Sequence, residues 1–241
     1  MKAVILGWRR NFLEKELEDC YKISSILAKD GYNIYTGAGD GFMKMGNKGA
    51  FEIDPSKSHG ISVESIYHKE NQGNANKYYK KENLYIAKNF AERKELLFKD
   101  ANLIIFFPGG TGTLDEFTDL LNLFKTKELK EIPIILYGYK YWNSLISWYQ
   151  FNNIKFPTKY IEKVIDSVEE FNKFYNGEVK FTDKLVKKKK KSASKKYAKF
   201  FDISNSTSVE SYSNSKKSKD LEDHHDNPDN SLSELVQKIF N

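Results

Sequence analysis

Nine consecutive residues, Pro108-Gly109-Gly110-Thr111-Gly112-Thr113-Leu114-Asp115-Glu116, bring together the parts of an anion site. Glycines lack the side chains that would keep a ligand from the backbone, and they tolerate turn conformations closed to other residues. A helix starting here would offer free N–H groups and the positive end of its dipole. Thr111 and Thr113 add hydroxyl donors. Glu116, about one turn inside such a helix, has a carboxylate able to fold back over the same loop. The plainer alternative is a tight strand-to-helix turn with Thr113 as N-cap and Glu116 as a surface acid favoured by the helix dipole. Asp115 suits that description better than Glu116.

Two further clusters carry chemistry. Gly37-Ala38-Gly39-Asp40-Gly41-Phe42-Met43 is a second glycine-rich stretch, with Gly39, Gly41 and Met43 as candidate ligand contacts. It is neither a G-x-G-x-x-G fingerprint nor a P-loop, since no Gly-Lys-Ser/Thr follows. Arg93-Lys94 is a basic pair flanked by Phe90, Glu92 and Glu95; such pairs usually mark a solvated helix face. The four histidines are scattered as His59, His68 and His224-His225, and Cys20 is the sole cysteine. That pattern supports no zinc spacing and no intrachain disulfide, so no metal ion is expected.

The elements that must hold these clusters alternate. Ala3–Leu6, Tyr32–Thr36, His59–Val63, Ala101–Phe107, Ile132–Tyr137 and Val164-Ile165 read as strands. Ala101–Phe107 is nearly continuous in apolar residues, as a strand buried on both faces should be. Helical spacing runs from Phe12 to Lys29, ended by Asp30-Gly31, then over Phe42–Phe51, Ile86–Lys99 and Thr113–Lys127, and through Trp142 and Trp148. Ser167 is a candidate N-cap for a helix to Tyr175. Ser65–Tyr79 is polar and reads as a long irregular loop. Strands alternating with helices predict an α/β fold, a Rossmann-like three-layer α/β/α arrangement around a parallel sheet. In such sheets ligands sit at the carboxyl ends of the strands, where both glycine-rich stretches fall.

Composition divides the chain. Residues 1–180 read as the globular domain and 181–241 as a Lys/Ser-rich low-complexity tail. From Asp183 to Asn241 there are 13 Lys against 9 Asp and Glu, which leaves 26 basic and 24 acidic residues before it. The formal charge of +6 therefore describes the tail more than the domain. The lysine run Lys187–Lys191 is compatible with contact to nucleic acid or anionic lipid, but a solvated, disordered lysine tract is the expected reading. Ser231–Phe240 has the spacing of a short amphipathic helix. The N-terminus carries no signal-peptide pattern, and no apolar stretch approaches the roughly 20 residues that span a bilayer. A soluble, cytoplasmic protein without membrane contact is expected.

The motifs become specific together. FAERKELLFKDANLIIFFPGGTGTLDEF is similar to the signature of the Lonely Guy (LOG) phosphoribohydrolases, a family long labelled "lysine decarboxylase-like": an Arg-Lys pair, a hydrophobic strand, then P-G-G-x-G-T-x-x-E. TGAGDGFMKMGNKGA resembles the family's first glycine-rich motif, and Gly60–Asn76 and Ile132–Trp142 resemble the segments that follow. The likeness spans about residues 1–175. Ala38 stands where a third glycine is common, Asp40 where proline is common and Lys44 where an acid is frequent. Gly7-Trp8-Arg9-Arg10 lacks the usual small serines.

The resemblance implies hydrolysis of the N-glycosidic bond of a nucleoside 5′-monophosphate, whether a cytokinin riboside monophosphate or an ordinary purine or pyrimidine nucleotide. Glu116 and Arg93 would be catalytic. Gly109, Gly110, Thr111, Gly112 and Thr113 would hold the phosphate, with Lys94, Gly39, Gly41 and Met43 as further contacts. It implies a homodimer and no cofactor. Decarboxylation would need pyridoxal phosphate on a Schiff-base lysine, and no lysine stands in a context that singles it out. The alternative is a non-catalytic nucleotide- or pterin-cofactor-binding protein of the same fold.

Overall fold

The computed structural model describes residues 1–10, 13–70 and 76–177. Seven parallel strands form one sheet in the order β4-β3-β2-β1-β5-β6-β7. They are β1 (Lys2–Leu6), β2 (Asn33–Thr36), β3 (Ser58–Val63), β4 (Leu84–Ala87), β5 (Leu103–Phe106), β6 (Ile134–Tyr137) and β7 (Ile161–Ile165). The helices are α1 (Glu14–Lys29), α2 (Phe42–Ile53), α3 (Glu64–Glu70), α4 (Phe90–Phe98), α5 (Thr111–Thr126), α6 (Tyr139–Phe151) and α7 (Val168–Tyr175). Among the described residues no helix is long and apolar enough to cross a membrane.

Period-two alternation sorts the side chains onto two faces. Ala3 and Ile5 of β1, Ile105 of β5 and Ile135 of β6 pack with Ile23 and Leu27 of α1, Phe42 and Ala50 of α2 and Phe171 of α7. Val4, Leu6, Ile104, Phe106 and Leu136 face the other way, onto Leu97 of α4, Phe117 and Leu120 of α5 and Trp142 of α6. The central strands are therefore apolar on both sides, as parallel strands covered by helices must be. Register aligns Val4 with Ile104 and Leu6 with Phe106. This brings the carboxyl ends of β1 and β5 level, at the point where strand order reverses.

Three expectations change. Ile86 to Lys99 is not one helix: Leu84–Ala87 forms edge strand β4, and α4 begins at Phe90 with the Asn89 side chain accepting from the Glu92 N–H at 2.9 Å. Four residues of an edge strand carry too few alternations to be separated from the helical spacing that follows. The polar stretch after Val63 is not wholly irregular, since α3 occupies Glu64–Glu70, seven residues with too little length to show a period. α5 starts at Thr111 with Gly110 as N-cap, so Thr113 is the third helical residue and not the cap. Ser167 caps α7 as expected, accepting from the Glu170 N–H at 3.2 Å. The predicted tail, 181–241, and its Ser231–Phe240 helix lie outside the described residues.

A buried polar network ties the first glycine loop to the sheet. Asn47 on α2 is fully buried. Its Oδ1 accepts from Thr36 Oγ1 at 2.6 Å and from Asn76 Nδ2 at 2.9 Å. Its Nδ2 donates to Ser58 Oγ at 2.8 Å and to the His59 carbonyl at 2.9 Å. Asn76 also donates to the Gly39 carbonyl at 3.1 Å, and Thr36 Oγ1 accepts from the Ala38 N–H at 3.0 Å. Ala38, where the family commonly has glycine, adopts a left-handed conformation with φ of 60° that an alanine reaches only at a cost. Removing one member of a satisfied buried network strands the others. Asn47→Ala is therefore expected to destabilise the fold by about 2–4 kcal/mol, measured by urea unfolding.

Candidate functional site

The loops after β1, β2 and β5 meet at the carboxyl ends of their strands, where Trp8 touches Gly41 and Gly110 and its N–H donates to the Pro108 carbonyl. The loop after β5 reaches α5 through Pro108 and Gly109. Thr113 is buried against Gly109; a Cβ on that glycine would stand 2.2 Å from Thr113 Cβ and Oγ1. Glycine at 109 thus lets α5 start immediately after the strand. No side chain caps α5. The N–H groups of its first turn, with the helix dipole, are left for an anion. Thr111 and Gly112 are exposed, and the space in front of Gly112 is open. Gly109, Gly110, Thr111, Gly112 and Thr113 are thereby assembled as one turn.

Glu116 lies on the inner side of α5, one and a half turns from its start, and is only 6% exposed. Arg93 reaches it from α4, with Nη1 3.1 Å from Glu116 Oε1. Arg93 Nε donates to the Ile61 carbonyl of β3 at 3.0 Å, which fixes the guanidinium at a second point. Burial raises the Glu116 carboxyl above its usual pKa, and the charge of Arg93 opposes that shift without cancelling it. The result is a carboxylate held in a dry setting by one cation, a group whose chemistry is sensitive to whatever enters beside it.

The first glycine loop supplies the floor for that cation. A Cβ on Gly37 would lie 1.8 Å from Arg93 Nη2 and 2.8 Å from Met43 Sδ. Arg93 and Met43 therefore flank a bare stretch of backbone at the end of β2. Gly39 is buried and held through its carbonyl by Asn76. Gly41, the N-cap of α2, has φ of 65°, and a Cβ there would come within 2.4 Å of the Trp8 carbonyl. Glycine is thus required at 41 both by conformation and by space.

Lys94 faces away from this pair. Its Nζ lies 3.1 Å from Asp115 Oδ2 and 3.0 Å from Asp119 Oδ2. Burial works against its charge, but the hydrogen bonds it donates to Asp119 and Asp115 outweigh burial and raise its pKa. It braces α4 against α5 and so holds the helix that carries Arg93 against the helix that carries Glu116. Asp115 is half of that brace, which fits its reading as a structural acid.

Sequence reasoning missed four contributors. Gly37 stands inside the quoted motif, but its purpose depends on an arginine 56 residues later, and local pattern carries no such information. Asn47 and Asn76 look like ordinary polar residues until the fold buries them. Trp8 was visible only as a departure from the family's small residues; the structure puts its indole over Gly110 and its ring edge-on to Tyr141, whose hydroxyl donates to the Gly109 carbonyl at 2.6 Å. Trp142, by contrast, is buried packing, with Nε1 donating to the Tyr137 carbonyl at 2.8 Å. Among the described residues no group of three or more His, Cys, Asp or Glu is arranged to hold a metal ion.

A family model described as "possible lysine decarboxylase" matches residues 43–173, from α2 to α7, which includes Arg93, the glycine-threonine turn and Glu116. No curated protein sequence matches the chain. Among solved structures, the molybdenum cofactor carrier protein from Chlamydomonas reinhardtii superposes with a TM-score of 0.53 at 15% identity, covering 73% of this chain and 96% of that one. The molybdenum cofactor binding protein from the phototrophic bacterium Rippkaea orientalis gives 0.52 at 17% identity, covering 73% and 95%. At these identities the likeness is one of fold. The family match spans more than half of the chain and contains both Arg93 and Glu116, so this protein belongs to the LOG-type family described as "possible lysine decarboxylase".

Proposed function

We propose that this protein hydrolyses the N-glycosidic bond of a nucleoside 5′-monophosphate, releasing the free base and ribose 5-phosphate. The observation that carries the reading is the Arg93–Glu116 pair, buried beside the uncapped first turn of α5. The 5′-phosphate docks on the backbone N–H groups of Thr111, Gly112 and Thr113, with the threonine hydroxyls as added donors. The sugar then lies toward Glu116. As the bond from C1′ to the base nitrogen lengthens, positive charge builds on the ribose, and the carboxylate stabilises it, as carboxylates do in glycoside hydrolysis. Water adds its oxygen to C1′, and the base leaves with the bonding pair and takes up a proton. Arg93 holds Glu116 ionised and contacts the substrate across the site.

A decarboxylase reading finds less support. Lys94, the lysine beside the site, is committed to Asp115 and Asp119 and lies outside the Arg93–Glu116 pair, so it is poorly placed as a Schiff-base amine. A non-hydrolytic nucleotide or pterin carrier is the second reading, favoured by the likeness in fold to the two solved neighbours, a molybdenum cofactor binding protein and a molybdenum cofactor carrier protein. The same anion turn would serve a phosphate in either case, and product release separates the two. The hydrolase reading also carries a cytoplasmic homodimer; the exposed aromatic side chains of Tyr85 on β4 and Phe90 on α4 support a contact near the helix that bears Arg93.

Three outcomes test the reading. Glu116→Ala and Arg93→Ala should each lower base release from nucleoside monophosphates by about 10²–10³-fold or more, followed by chromatography, with native circular dichroism retained. Near-normal turnover in either removes the assigned roles.

Gly37→Ala forces the Arg93 guanidinium off its seat. It should lower kcat/KM by about 10²-fold, because displacing a reacting group by an ångström is that costly. The fold should survive, since the atoms met are the ends of two flexible side chains.

The third concerns pH. A carboxyl whose folded pKa is raised stabilises the fold fully below its unfolded value, near 4.5, and loses that contribution as pH rises through the folded value. Glu116→Gln abolishes this dependence. Wild type should therefore lose stability relative to the variant as pH climbs from about 4 and level off above the folded pKa, which urea midpoints across pH will read. A constant difference would contradict the burial argument.

A further inference from the structure

Trp8 occupies a position that two glycines have been cleared to accommodate. Its backbone is pinned between the two glycine loops: the N–H donates to the Pro108 carbonyl at 2.9 Å, and its carbonyl accepts from the Phe42 N–H at 3.1 Å. Gly41 makes room for that carbonyl. The indole is set by a second pair of contacts. A Cβ on Gly110 would lie 2.8 Å from Trp8 Nε1 and 3.4 Å from Cδ1, so the nitrogen edge of the ring covers the N-cap of α5. Tyr141 meets the ring edge-on at 6.2 Å between centroids, and its hydroxyl is anchored on Gly109.

The indole is thus flanked by Gly110 and Tyr141, with its one donor at the mouth of the anion turn. Among the described residues nothing accepts a hydrogen bond from that N–H. An indole nitrogen is a donor only. That of Trp8, on a half-buried side chain, is open to solvent and so to an incoming acceptor. The acceptor this location suits is an oxyanion seated on the amides of Thr111 to Thr113.

We propose that Trp8 is a substrate-binding residue, its indole N–H donating to a non-bridging oxygen of the 5′-phosphate and completing the cradle formed by the first turn of α5. This deepens the hydrolase reading by naming a side-chain phosphate ligand, and it rests on that reading only for the rest of the substrate. It assigns the selectivity for phosphorylated over free nucleosides partly to a residue on β1's loop and not to the P-G-G-x-G-T turn alone.

The test uses the full chain. Trp8→Phe keeps the ring and its edge contact with Tyr141 but removes the donor. A charge-assisted hydrogen bond lost from uniform binding raises KM without changing kcat. KM for a nucleoside 5′-monophosphate should rise about tenfold or more, with kcat within about twofold of wild type. Weak turnover of the unphosphorylated nucleoside should be unchanged, which a loss of packing would not leave unchanged.

A binding arm needs no turnover. In protein labelled with 15N-tryptophan, which carries three indole N–H groups, titration with ribose 5-phosphate should move one indole resonance downfield. That resonance should be missing from Trp8→Phe and present in Trp148→Phe, which alters an exposed residue far along α6. If Trp8→Phe does not fold, the titration of wild type beside Trp148→Phe still decides. No moving indole overturns the proposal, as does Trp8→Phe binding ribose 5-phosphate as tightly as wild type. Trp8-dependent binding of ribose 5-phosphate without any base release would uphold this inference and sink the hydrolase reading instead.

Discussion

The contact on which the site depends is a guanidinium laid across a residue with no side chain. Arg93 reaches Glu116 over a residue without a Cβ: one on Gly37 would stand 1.8 Å from Arg93 Nη2 and displace it. Three strands and two helices are recruited to that one contact: β2 brings Gly37, β3 offers the Ile61 carbonyl, α4 carries the arginine and α5 the glutamate. β5 sets the height at which α5 begins. Shifting any of these parts by an ångström changes the distance between the cation and the carboxylate, and with it the electrostatics of the pocket.

The pair is not there for stability. Taking a carboxylate out of water is unfavourable, and a single partner seldom restores the whole loss. The raised carboxyl pKa of Glu116 expresses that imbalance. The fold tolerates it because the remainder is heavily buttressed. Apolar residues cover both faces of the central strands, Asn47 satisfies the polar groups beneath the first glycine loop, and Lys94 clamps α4 to α5 from outside. Strain is stored nearby as well, in the left-handed Ala38. Local violations of good folding practice gathered around one pocket are what a functional site looks like.

Much of this was legible in the sequence. The strands with the longest apolar runs, the two glycine loops at their carboxyl ends and the Arg93 and Glu116 candidates all follow from pattern, motif and family likeness. What the chain does not reveal locally is anything defined by approach from afar. The seat at Gly37, the burial of Asn76 and the covering of Gly110 by Trp8 each need a partner tens of residues away. Short elements were also hidden: β4 has four residues and α3 seven, and neither is long enough for its period to stand out from its neighbours. Lys94 shows the reverse problem, for its adjacency to Arg93 suggested a shared task, whereas successive helical residues point about 100° apart and Lys94 faces two aspartates.

The most direct measurement is to incubate the full-length protein with a panel of nucleoside 5′-monophosphates in 18O-labelled water and follow the products by mass spectrometry. Cleavage at the anomeric carbon predicts free base and ribose 5-phosphate in equal amounts, with one labelled oxygen on C1 and none in the phosphate. Intact nucleotide throughout, or label entering the phosphate with release of a nucleoside, would contradict the account.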